Sequence, residues 1–228
     1  NLGFIREALS NSPELSSLYV GYGNGDFFLV RRIWNGDERK HFDAPEQTAY
    51  VVQSIDHERT APRGRFIFLD SSLATLRSDD RPDYATSYDP RTRDWYKTAM
   101  TTSGQIKTPP YLFYTNKQVG TTLANRAGAT SAVVGADILL ATLDQTMAKQ
   151  KVTPGTHTVL VNRTGQILAH EDNAKVIRLP PTADGRPVLA TLSDFGAPVL
   201  AQLSPLIQGA NDEMMQTRTL EVDGEGTA

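Results

Sequence analysis

The sequence predicts an α+β fold of two successive modules, and three observations carry the prediction. Short runs with strand-like alternation, separated by polar turns, fill residues 17–70 and describe an antiparallel sheet. One helix-forming stretch, residues 91–100, and a second at 139–151 interrupt the strands. After residue 150 a hairpin-then-helix pattern begins again, behind the breaker Val152-Thr153-Pro154-Gly155. The expected domains are therefore 1–150 and 151–228.

Leu2, Ile5 and Leu9 recur at helical spacing, so the chain opens on an amphipathic helix that Asn11-Ser12-Pro13 ends. Residues 17–22 and 26–33 read as strands around Gly23-Asn24-Gly25, an Asn-Gly hairpin turn. Gly21-Tyr22-Gly23 lacks the third glycine and the following helix of a dinucleotide loop. Residues 47–56 and 65–70 are further strands, and 77–83, dense in charge, reads as an exposed loop before the next helix. Pro90 suits the first turn of helix 91–100, with Asp89 as its cap and Ser103-Gly104 as its stop. Thr108-Pro109-Pro110-Tyr111 is stiff and extended. Its tyrosines Tyr111 and Tyr114 are expected on opposite sides, with Tyr111 facing inward. Residues 119–124 and 131–138 read as strands, and helix 139–151 follows, burying Leu140, Leu143 and Met147. In the second module 156–161 and 166–169 form a hairpin, and a polar loop carries Pro180, Pro181 and Pro187. Residues 192–207 keep helical spacing, interrupted by Pro198 and Pro205, and a strand closes at 215–222.

Composition excludes several classes. With 23 basic and 26 acidic residues the net charge is −3, so no basic face offers itself to nucleic acid. No cysteine is present, which removes disulfides, thiolate metal sites and a cysteine nucleophile. His41, His57, His157 and His170 are scattered without the i, i+4 spacing of a helical metal pair, and no metal or other cofactor is expected. No apolar run approaches the roughly 18 residues that span a bilayer. The first residues read as the tail of a longer helix and the last strand stops unpartnered at Gly224-Glu225-Gly226. The chain therefore reads as an excised piece of something longer, which leaves room for flanking membrane segments.

The densest signal is Tyr88-Asp89-Pro90-Arg91-Thr92-Arg93-Asp94-Trp95-Tyr96. Core stretches do not carry alternating charge, and Trp and Tyr are costly to leave in water. The mixture suits a concave polar pocket with aromatic walls.

This motif and the two-module organisation resemble the double Cache domain, the extracytoplasmic sensor of bacterial chemoreceptors, sensor kinases and cyclase-type signalling proteins. The resemblance also rests on Thr108-Pro109-Pro110-Tyr111 and on Gly135-Ala136-Asp137-Ile138. It covers residues 1–170 and thins afterwards. It implies a long N-terminal helix and two PAS-like modules, each an antiparallel sheet with flanking helices. The distal one binds a small ligand and the other stands nearer the membrane. It further implies the periplasmic portion of an inner-membrane protein, a weak homodimer along the N-terminal helix, and no catalysis in this part of the chain. In relatives that bind amino acids, residues matching Arg93, Trp95 and Tyr96 hold the ligand carboxylate, and residues matching Tyr111 and Asp137 face its ammonium group. Where those relatives carry a second aspartate, Phe113 stands here.

The residue chemistry agrees. A guanidinium fork grips a carboxylate by two hydrogen bonds, and an indole N–H only donates. One carboxylate at Asp137 favours a cation or a hydroxyl, and Phe113 an apolar or aromatic portion, so the expected ligand is a small organic anion, amine-bearing or aromatic. Other readings stand beside these. Arg93 also reads as an ion-pair partner of Asp89 or Asp94, Trp95 and Tyr88 as core, and Asp137 as the cap of helix 139–151. A hydrolase built on Asp137 lacks a second carboxylate, a metal set and a nucleophile elbow. A structural module with a vestigial pocket is the third alternative.

Overall fold

The computed structural model describes residues 2–57, 61–116, 118–140, 158–162, 164–170, 176–178, 188–196 and 198–208. The chain divides into two compact units, 1–139 and 140–228.

The first unit is one antiparallel sheet with helices on both faces. Helix α1 (Leu2–Asn11) leads into β1 (Leu15–Gly21) and β2 (Phe27–Arg32). Between these strands the Asn24 side chain accepts from Asp26 N at 3.0 Å, and Gly25 takes φ +95°, which a β-carbon would oppose. Helix α2 (Gly36–His41) follows, capped by Asn35, whose side chain accepts from Glu38 N. Strands β3 (Tyr50–Asp56), β4 (Arg63–Leu69) and β5 (Thr75–Asp80) come next, then α3 (Pro82–Ser87). A 3-10 turn (Pro90–Thr92) precedes α4 (Asp94–Thr101), and short β6 (Ile106–Lys107) and β7 (Tyr111–Leu112) lead to β8 (Val119–Arg126) and β9 (Val133–Leu139). The sheet order is β5-β4-β3-β2-β1-β9-β8-β6, with β7 also on β8. The last strands thus return to the middle, beside β1.

Period-two alternation sends each strand's residues to two cores. On one face Leu9 of α1 packs with Val30, Tyr50, Val52 and Leu69, and Leu2 and Ile5 lie against them. On the other face Tyr19, Phe27, Leu29, Val51 and Phe68 meet Tyr84 and Tyr88 and, from α4, Trp95 and Ala99. No helix among the described residues is long and apolar enough to cross a membrane.

In the second unit β10 (Val159–Val161) pairs with β11 (Ile167–His170), and β12 (Ile177–Arg178) with β13 (Val188–Leu189). Helix α5 (Pro198–Gln208) contains Pro205. Ile167, Val176, Ala190, Leu192 and Phe195 form its core.

Four expectations change. Residues 77–83 are not a loop: 75–80 form β5 and 82–87 form α3. Charge misled because β5 is an edge strand, where Arg77–Asp79 and Arg63–Asp80 ion pairs suit a solvated rim. Helix 91–100 is split, because Arg93 is extended (φ −84°, ψ 144°) and Asp89 caps the 3-10 turn instead. Residue 139 ends β9 rather than starting a helix. In the second module, 192–196 form a turn and α5 starts at Pro198. The rest of helix 139–151, the proline loop and the strand at 215–222 lie outside the described residues.

Gly135 of β9 lies under the Tyr19 ring, and a β-carbon there would sit 2.2 Å from Tyr19 Cε2. Gly135→Ala is therefore expected to cost about 1–3 kcal/mol of overpacking, read as a lower urea midpoint; an unchanged midpoint would contradict this packing.

Candidate ligand site

The register of the sheet gathers polar groups onto its inner face. Ser17 of β1 pairs with Asp137 of β9 and with Arg31 of β2, and Thr122 of β8 pairs with Asp137. One polar row therefore runs Thr122–Asp137–Ser17–Arg31 across four strands. Gln53 of β3 pairs with Leu29, one diagonal step from Arg31.

Asp137 is the centre of this row and is 4% exposed. Its Oδ1 accepts from Tyr19 Oη and from Thr122 Oγ1, both at 2.7 Å, and its Oδ2 from Ser17 Oγ at 2.9 Å. Since Thr122 spends its proton on Asp137, it accepts from Tyr111 Oη at 2.8 Å. Arg31 Nη2 stands 4.0 Å from Asp137 Oδ2. Burial pushes the Asp137 carboxyl above its ordinary range, against Arg31 and the three hydroxyl donors, which pull it down. Those donors contribute about 1.5–3 kcal/mol each to an ionised partner, comparable with the several kcal/mol that burying the ion costs. Burial, and Asp137 next, raise the Tyr19 phenol, which stays protonated and donates.

A cleft lies over this row; its volume of about 350 Å³ includes space open to solvent. Its floor is Tyr19, Phe27, Leu29, Arg31, Gln53 and Asp137 of the sheet. Tyr84, Tyr88, Arg93 and Trp95 form one wall, and Tyr111, Phe113, Tyr114 and Thr115 the other. Trp95 meets Tyr19 edge to face at 5.0 Å, and Tyr88 stacks on Tyr84 at 5.4 Å. The Arg93 guanidinium sits 5.8 Å from the Tyr88 ring and 5.5 Å from the Tyr114 ring.

Six residues singled out in the sequence, Tyr88, Arg93, Trp95, Tyr111, Phe113 and Asp137, thus border one cleft. Tyr96 does not: its hydroxyl donates to the Ser131 carbonyl, because the next residue along a helix points about 100° away from Trp95. Asp89 is held by Arg91 through the backbone N, Nε and Nη2, with Nη2 at 2.8 Å, so it is not the partner of Arg93. No carboxylate among the described residues pairs with Arg93. Asp137 is interior to β9 and caps no helix. Tyr111 and Tyr114 both reach the cleft, because the chain turns at 114–116 after Phe113. Sequence reasoning missed Tyr19, Arg31 and Gln53, which lie on strands, and Tyr84, which lies on α3 just past the segment read as a loop. One signal for Gln53 was present: it interrupts an apolar alternation, Val51 and Ile55.

The antiparallel sheet, with a cleft beneath the 88–96 motif, makes the first unit an α+β module. No family model matches the chain. Its sequence is similar to adenylate cyclase 1 of Rhizobium meliloti, 29% identical over 177 residues, which is 77% of this chain and 26% of that protein. It is also similar to the methyl-accepting chemotaxis protein McpG of Pseudomonas putida, 35% identical over 100 residues, 43% of this chain and 16% of that protein. The chain spans about a quarter or less of the length of these relatives. Among solved structures it is similar to the ligand-binding domain of the Campylobacter jejuni chemoreceptor Tlp3 in complex with 4-methylisoleucine. That pair has 22% identity and a TM-score of 0.42, covering 81% of this chain and 54% of that one. The ligand-binding domain of the Pseudomonas fluorescens chemoreceptor CtaA in complex with L-valine gives 22% identity and 0.41, covering 83% and 58%. These sequence relatives are signalling proteins, and the chain is similar to one part of each.

The raised Asp137 acid makes a pH prediction. Its folded pKa lies above the unfolded value, so folding takes up a proton between the two, and its contribution to stability falls as pH rises from about 4 through that window. Asp26, Asp70 and Asp89, whose acids hydrogen bonds depress, act oppositely but cancel between wild type and Asp137→Asn. Urea unfolding from acid to neutral pH is expected to show wild type losing stability relative to Asp137→Asn as pH rises. A pH-independent difference would contradict the raised acid.

Proposed function

We propose that residues 1–150 form the membrane-distal, ligand-binding module of an extracytoplasmic receptor domain, and 151–228 the module nearer the membrane. The ligand is a small organic anion, amino-acid-like in size, held in the cleft over Asp137. One observation carries this reading. Arg93 stands at the cleft wall against two aromatic rings, with no carboxylate partner among the described residues, facing the same space as Trp95, Tyr111 and Asp137. A guanidinium so placed is ready to grip a ligand carboxylate with paired hydrogen bonds. Tyr88, Phe113 and Tyr114 supply aromatic contact for the rest of the ligand. Alignment with chemotaxis receptors and a cyclase supports a sensing role upstream of a separate output domain.

In this reading the domain performs no chemistry. Ligand favours one arrangement of cleft and helix, and the shift in population is passed to the membrane. Strand β2 is suited to carry it: Arg31 points into the cleft while the next residue, Arg32, donates to the Leu9 carbonyl of α1 at 3.2 Å on the other face. The full-length protein is anchored in the inner membrane and pairs weakly along α1.

Isothermal calorimetry of the purified domain against carboxylates and amino acids tests the proposal. At least one carboxylate is expected to bind, and Arg93→Ala to weaken it on the order of tenfold to a hundredfold, the worth of a hydrogen bond to a charged group. Unchanged affinity in Arg93→Ala, or no heat from any carboxylate, would overturn it.

A further inference from the structure

The floor of the cleft holds two polar side chains that the protein itself leaves unused. Arg31 is 1% exposed and Gln53 is 0% exposed. Arg31 Nε and Nη1, and both polar atoms of the Gln53 amide, have no hydrogen-bond partner among the described residues. Both residues border the cleft. Buried donors are normally satisfied, and a guanidinium with spare N–H groups in an apolar surround is costly. Asp137 does not discharge this need. Its nearest approach to Arg31 is 4.0 Å, and its oxygens already accept from Ser17, Tyr19 and Thr122.

Charge points the same way. Among the cleft residues Arg31 and Arg93 are cationic and Asp137 alone is acidic. Even with Asp137 ionised, one positive charge is in excess. A ligand with a single carboxylate on Arg93 leaves the Arg31–Gln53 pair unanswered. A second acceptor group at the far end of the ligand would answer it: the guanidinium fork takes a carboxylate in its plane, and the Gln53 amide donates from the side.

We infer that Arg31 and Gln53 form a second acceptor-binding subsite, and that the ligand is a short-chain dicarboxylate spanning from Arg93 to Arg31. The inference rests on the carboxylate-binding reading above and narrows it. An amino group on the ligand, as in an acidic amino acid, would lie toward Asp137; a plain diacid would leave Asp137 to its hydroxyls.

Calorimetry on the same domain separates these levels. The probes are succinate and glutarate, aspartate and glutamate, and the one-carboxylate counterparts butyrate and valine. Dicarboxylates are expected to bind on the order of tenfold or more tightly than their one-carboxylate counterparts. Arg31→Gln is expected to abolish that preference, weakening succinate and glutarate on the order of tenfold more than butyrate. Gln53→Leu, which removes an unsatisfied buried amide and keeps the fold, should lower dicarboxylate affinity severalfold and spare valine and butyrate. Arg93→Ala should weaken both classes. If one-carboxylate ligands bind through Arg93 as tightly as dicarboxylates, the second subsite is overturned while the carboxylate reading stands. Dicarboxylate affinity unchanged in Gln53→Leu would overturn it equally, whatever the folding of Arg31→Gln. If no carboxylate binds at all, both fall. Comparison of the plain and aminated diacids tells whether Asp137 takes part.

Discussion

The buried carboxylate of Asp137 is the constraint on which the rest of the distal module turns. Three hydroxyls from two strands converge on it, Ser17 and Tyr19 of β1 and Thr122 of β8, while Asp137 itself belongs to β9. The convergence requires that the last strands return to the middle of the sheet beside β1. It also requires Gly135, whose lack of a side chain lets the Tyr19 ring lie flat enough to reach the acid. A topology in which β9 sat at an edge would leave the acid in water and the hydroxyls unpaired.

Once that row is built, the cleft above it follows from alternation. Residues that face inward on β2 and β3, Leu29, Arg31 and Gln53, become the floor, and their neighbours Val30, Arg32 and Val52 face α1. The same two strands therefore touch the ligand space on one side and the N-terminal helix on the other. A change at Arg31 has a one-residue path to the α1 carbonyl that Arg32 holds. No long chain of contacts is needed within this unit.

What was legible in the sequence was what is local. Pro90, the paired arginines and Trp95 announce a pocket wall because charge and aromatics crowd into nine residues, and Trp95 and Arg93 do border the cleft. Tyr96 shares the motif but turns away, since helical rotation separates neighbours that a linear reading groups together. Arg31 and Gln53 were not legible in the same way. Arg31 sits beside Arg32, and only strand pairing decides which of the two is buried. Gln53 belongs to an apolar strand and becomes informative only when the register sets it diagonal to Arg31. Strand β5 was hidden for the opposite reason: an edge strand tolerates the charges that elsewhere mark a loop.

A crystal structure of the domain grown with glutarate or glutamate tests the central claim most directly. The account predicts one ligand carboxylate within hydrogen-bonding distance of Arg93 and the other within reach of Arg31 and Gln53, with Asp137 still holding its three hydroxyls. A ligand seated outside this cleft, or a cleft in which water alone satisfies Arg31 and Gln53 at saturating ligand, would contradict it.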